Sequence, residues 1–173
     1  MQKKVFFIAD THFGDSNVII YENRPFSSAN DMDSMLVKNW NDTVSENDTV
    51  FVLGDLSFCN REKTTEICRS LNGEKFLVMG NHDTEDEQFY YECGFSGVSR
   101  YPIIYNNFWI LSHEPLYVNR NMPYANIFGH VHGNPIYKDV SERSFCVSVE
   151  RINYTPVEIS EIQKRILKKE HLS

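Results

Sequence analysis

Five times along this chain a short apolar run ends in a small residue, and a residue able to bind a metal follows at once. The runs are Val5–Ala9 before Asp10, Val50–Gly54 before Asp55, Phe76–Gly80 before Asn81, Phe108–Ser112 before His113, and Ile127–Gly129 before His130. Four or so consecutive apolar residues, with no polar alternation, read as strands buried on both faces. The small residue at each end lets other groups approach the backbone closely. In layered α/β folds ligands bind beyond the carboxyl ends of the strands. The pattern therefore predicts an α/β protein whose polar residues gather along one edge.

Helices are expected between the runs. Residues 31–44 place Met32, Met35, Leu36 and Trp40 on one face, with Asn30 as the candidate N-cap. Residues 61–71 place Thr64, Ile67, Cys68 and Leu71 at helical spacing, and Gly73 follows as a stop. Thr84 and Glu87 have the spacing of a capping box before a short helix that ends near Gly94. A last helix is expected from Ser160, or with Pro156 as its first residue, through Lys169, with Ile162, Ile166 and Leu167 inward, and a further strand over 145–149.

With 173 residues the chain is expected to form one domain, residues 1–173, large enough for a real core. The formal net charge of -7 argues against a strongly basic nucleic-acid-binding surface, though not against a nucleotide substrate. Cys59, Cys68, Cys93 and Cys146 lack C-x-x-C spacing and are expected as reduced thiols in a cytoplasmic protein. The opening apolar run is too short for a signal peptide or a membrane span.

Five of the six histidines fall in or beside the polar blocks Asp10-x-His12, Gly54-Asp55, Gly80-Asn81-His82-Asp83, His113 and Gly129-His130-x-His132. The candidate metal ligands are Asp10, His12, Asp55, Asn81, His113, His130 and His132. They mix imidazole nitrogen with carboxylate and amide oxygen, a set that suits Mn, Fe, Zn, Ni or Co. Two divalent ions roughly 3.5–4 Å apart must share a ligand, and a carboxylate can bridge them. Hydrolysis at phosphorus is the expected use.

In order, spacing and residue type these blocks resemble the calcineurin-like metallophosphoesterase superfamily, and in particular its compact bacterial and phage members without a cap domain. The resemblance implies a two-sheet sandwich with helices on the outer faces. It implies that Asp10, His12 and His132 hold one metal, that Asn81, His113 and His130 hold the second, and that Asp55 bridges. A hydroxide between two divalent metals, Mn foremost, would attack the phosphorus of a small phosphate ester. His82 would contact the phosphoryl group and protonate the leaving oxygen, with Asn81 also reaching substrate. Arg24 is a further candidate for substrate phosphate, against a plain salt bridge.

The chain departs from the protein phosphatases of that superfamily at Phe58 and Cys59, where they carry an aspartate and an arginine. The partner that orients His82 is thus open, with Asp83 as a candidate that could equally support the site from behind or be structural. Asp15 stands where many compact relatives carry a histidine. Tyr117, Arg120 and Tyr124 lie between metal blocks and could line a cleft; His171 is expected to be merely solvated. Two other functions are expected to be less fitting: a nuclease using the same site, and a non-catalytic scaffold like the retromer subunit, which lacks a histidine kept here.

Overall fold

The computed structural model describes residues 3–119, 121–134 and 141–170, with side chains through Ile166. Arg120 and His171 lie outside the described residues. The elements run β1 (Val5–Ile8), α1 (Ser16–Tyr21), α2 (Ala29–Thr43), β2 (Thr49–Val52), α3 (Arg61–Ser70), β3 (Glu74–Val78), α4 (Glu87–Glu92) and β4 (Phe95–Ser99). There follow β5 (Ile103–Tyr105), β6 (Trp109–Ser112), β7 (Ala125–Phe128), β8 (Ser144–Cys146), a 3-10 turn (Val149–Arg151), β9 (Val157–Glu158) and α5 (Ile159–Glu170).

The strands form two sheets, ordered β4-β3-β2-β1-β9 and β5-β6-β7-β8. In the first, β1 to β4 are parallel and β9 is antiparallel. In the second, β6 to β8 are parallel and β5 is antiparallel. Each of the five apolar runs is a parallel strand, so within each sheet their polar ends share one edge. The two edges are tied together by backbone: Ala9 N–H donates to Val147 O at 2.9 Å, and Val149 N–H donates to Ala9 O at 3.1 Å.

Alternation along β1 shows why both faces are apolar. Phe6 and Ile8 join Val50, Val52 and Leu77 against Met32, Leu36 and Trp40 of α2 and Ile67 and Cys68 of α3. Phe7 and Ala9 face the other way, into a core with Phe51, Leu53, Trp109, Leu111 and Ile127 between the sheets. Ile162 and Ile166 of α5 complete that second cluster. Each large side chain so buried contributes about 1.5–3 kcal/mol. The result is the expected two-sheet α/β sandwich with helices packed outside.

The helices match their expected places, with shifted starts. The N-cap of α2 is Ser28, accepting from Asp31 N–H at 3.1 Å, two residues before Asn30, and Met35 is half exposed. Asp86 rather than Thr84 caps α4, accepting from Phe89 N–H at 2.8 Å. α5 starts at Ile159, one residue before Ser160. The strand expected over 145–149 is β8, which ends at Cys146 before the chain turns. The four cysteines are free thiols, and three of them are buried.

Candidate active site

Where the parallel strands end, the chain must turn while still pointing side chains at one locus. It does so with left-handed backbone. Asp10, His12, Asp55, His130 and His132 all have positive φ, between 48° and 68°. Non-glycine residues adopt this region rarely, and such strain clusters at functional sites. The preceding glycines make room. A Cβ on Gly54 would sit 2.3 Å from His113 Nδ1, and one on Gly80 would sit 2.3 Å from Asp55 Oδ1.

The seven candidate ligands converge. Asp10, His12, Asp55 and His132 place one ligand atom each within 4.8 Å of one another, and so do Asp55, His113 and His130. Asp55 belongs to both groups. Asn81 Oδ1 lies 2.9 Å from His113 Nε2 and 3.0 Å from His130 Nδ1, and those two nitrogens are 3.0 Å apart. Two imidazole nitrogens and an amide oxygen cannot all satisfy one another with a single shared proton. Atoms about 2.1 Å from one ion and at right angles would stand roughly 3.0 Å apart, so this donor set fits a cation.

The other half gives a second sign of fit. His12 Nε2 is buried without a hydrogen-bond partner, 3.5 Å from Asp55 Oδ2. Asp10 is fully buried, and burial pushes its carboxyl above the usual range. Its two oxygens accept from His130 N–H at 3.0 and 2.9 Å. For Asp55, burial also opposes ionisation. That is outweighed by His12, by His113 and by the His82 N–H, which donates to Oδ1 at 2.9 Å, and the carboxyl is held down to about 2. Asp55 is thus anionic at neutral pH, as a bridging ligand requires.

Outside the ligands stands a frame that sequence reasoning missed. His12 Nδ1 faces Asp15 Oδ2 at 3.3 Å, and His132 Nδ1 faces Glu150 Oε1 at 3.1 Å. Carboxylates in these places fix the ring and leave Nε2 for a metal. His113 Nδ1 is held by Leu53 O at 2.9 Å. Asp83 accepts from the backbone N–H groups of Asp55, Leu56 and Gly80 at 2.8–3.0 Å, so it joins two loops and does not orient His82.

Arg24 corrects an expectation. Its side chain is wholly buried, so it has no surface with which to meet a substrate, and it is no exposed surface ion pair either. It donates to the carbonyls of Asp10 at 2.7 Å and Thr11 at 3.0 Å, and from Nε to Glu150 Oε1 at 2.8 Å. One guanidinium therefore braces the Asp10–His12 turn against the carboxylate that holds His132.

His82 is exposed, its ring 5.7 Å from that of His12 and 5.1 Å from that of Phe58. It lines a cleft of about 280 Å³ on one side of the cluster. A second cleft, of about 420 Å³, is lined by Glu22, Glu114, His130 and His132.

With this geometry in place, the likeness to known proteins is specific. Residues 3–170 match the calcineurin-like phosphoesterase family.

The chain belongs to that family.

Among its relatives, an uncharacterized protein, MJ1445, from Methanocaldococcus jannaschii is 37% identical over 174 residues, covering 96% of this chain and 93% of the relative. The gene 66 protein of Mycobacterium phage L5 is 30% identical over 80 residues, covering 44% of this chain and 38% of that one. A protein of unknown function, AQ665, from Aquifex aeolicus superposes with a TM-score of 0.76 at 24% identity, over 94% of this chain and 99% of that one. The nuclease MPE of Pseudomonas putida superposes with a TM-score of 0.52 at 19% identity, over 75% of this chain and 61% of that one. Both superpositions show the calcineurin-like fold. Among the described residues no helix is long and apolar enough to cross a membrane.

Proposed function

We propose that this calcineurin-like phosphoesterase is a dinuclear-metal hydrolase of a small phosphate ester, the whole chain serving as one catalytic unit in the cytoplasm. The observation that carries the reading is the place of Asp55, common to the two groups into which the ligand candidates converge. Asp10, His12 and His132 would hold one ion and Asn81, His113 and His130 the other, with manganese the first choice among Mn, Fe, Zn, Ni and Co. When bound, such ions supply Lewis acidity at the phosphoryl oxygens and bring the pKa of a water to about 7.

The residues of the chain then divide the remaining work. Asp55 sets the spacing of the two halves. Asn81 orients the phosphoryl group from the rim. His82, exposed beside the cluster, delivers a proton to the leaving oxygen, a task suited to an imidazole. Its backbone bond to Asp55 fixes where its side chain starts.

The test is the Asp55→Asn variant, assayed for bound manganese and for hydrolysis of bis-p-nitrophenyl phosphate. Loss of both is expected. Full turnover in that variant would sink the assignment. A second reading, a nuclease acting on polymers, draws on the fold shared with the Pseudomonas nuclease. The net charge of -7 weighs against it. A gel assay on single-stranded and duplex DNA with manganese separates the two.

A further inference from the structure

The cleft on the His82 side holds an aromatic ring that the catalytic reading does not use. Phe58 follows the bridging Asp55 by three residues and is 47% exposed, though large apolar side chains are mostly buried in this chain. Its ring stacks on the His12 imidazole, centroids 5.0 Å apart and planes 14° from parallel, so its position is fixed by a candidate metal ligand. It tilts toward His82 at 5.1 Å. Exposing a ring so placed, beside the group that would meet the leaving oxygen, costs apolar burial with no return inside the fold.

The remaining walls say what would cover it. Thr84 and Glu85 line the cleft with polar groups, and the buried Phe89 and Tyr90 line it with aromatic ones. Apart from His82, the cationic side chain there is Arg61, which is paired with Glu85 and lies 4.2 Å over the Phe89 ring. Its charge is compensated, so the cleft is no place for a second phosphate. At about 280 Å³ it is near the lower end of small-molecule sites, enough for one flat heterocycle. A planar ring with hydrogen-bonding edges answers to both the aromatic face and the polar rim.

We infer that Phe58 is a specificity-determining residue that stacks the nucleobase of a mononucleotide whose phosphate lies at the metal cluster. The inference rests on the phosphoesterase reading for where the phosphate sits. It adds the substrate class: nucleotide esters in preference to sugar or glycerol phosphates.

Calorimetry with manganese-loaded protein tests it without turnover, using the non-hydrolysable methylenephosphonate analogues of AMP and of ribose 5-phosphate. Wild type should bind the adenine-bearing analogue at least about tenfold more tightly. Phe58→Ala should bring the two affinities within about twofold of each other. Because the comparison is a ratio within one protein, a change in metal affinity cancels. Phe58→Trp should keep the preference, and its fluorescence should be quenched by the adenine analogue and not by the ribose analogue. Equal affinities in wild type, or an undiminished preference in Phe58→Ala, would overturn the inference. Hydrolysis of bis-p-nitrophenyl phosphate by a wild type with equal affinities overturns the stacking role alone. Adenine preference without any hydrolysis of bis-p-nitrophenyl phosphate overturns the enzymatic reading instead.

Discussion

The two halves of the candidate metal centre are built differently. Asp10, His12 and His132 sit at the junction of the sheets, the first two fully or almost fully buried. Both imidazoles there are backed by carboxylates, Asp15 and Glu150, and Arg24 locks one of those carboxylates to the Asp10 turn. In the other half Asn81 and His130 are exposed, and His113 is backed by a neutral carbonyl. A carboxylate behind a histidine raises its basicity and fixes its tautomer. The buried half should therefore hold its ion more tightly, and the open half should exchange its ion and receive substrate.

The most severe way to break this comparison is to remove what the halves share. Asp55→Asn should lower turnover on bis-p-nitrophenyl phosphate by on the order of a thousandfold or more and reduce bound metal below two equivalents, read by elemental analysis. Next is Arg24→Met, which leaves the buried Glu150 carboxylate with the His132 ring as its remaining partner. A loss of about 3–5 kcal/mol is expected in urea unfolding, with the tighter metal equivalent weakened too. Unchanged stability would mean that Arg24 does not brace this half.

Glu150→Gln sharpens the comparison more gently. Chelator competition should show one equivalent weakened by about 10–100-fold and the other little changed. Asn81→Ala should affect the opposite equivalent. If both variants weaken both equivalents alike, the division into halves is wrong.

The smallest effect is expected outside both halves. Asp48 accepts from Lys4 N–H at 2.9 Å, from Ser45 N–H at 2.9 Å and from Ser45 Oγ–H at 2.7 Å. Burial opposes its ionisation, but these bonds prevail and lower its pKa below the ordinary 3.8. Its stabilisation is therefore present above that value and lost as pH falls below it, through the lowered pKa of the folded protein. Asp48→Asn should cost about 1 kcal/mol at pH 7, a gap that closes in acid, with metal titrations unaltered.

How much of this could be read from sequence follows from where each interaction is recorded. The seven ligand candidates were legible, because five of them each end an apolar run and His12 and His132 follow two of those five at a one-residue gap. The brace was not. Arg24 binds backbone carbonyls, which every residue has, and its carboxylate partner lies 126 positions away. Asp15 stands out in the sequence as a departure from relatives, but nothing there marks it as the partner of His12. The short helix α1 was missed because only Val18 among its residues is buried, leaving no stripe to see. β9 has two residues, too few for any alternation.

The left-handed turns carry a consequence for anyone who would engineer this protein. Each left-handed L-residue costs on the order of 1–3 kcal/mol that glycine would not incur. A library ranked only by melting temperature, without added metal, would therefore drift toward glycine at these turns. His130, exposed and with φ of 68°, is where that drift would begin. Every step gained in heat resistance would discard a candidate metal ligand, so thermal screening and metal retention would select for opposite sequences at the same positions.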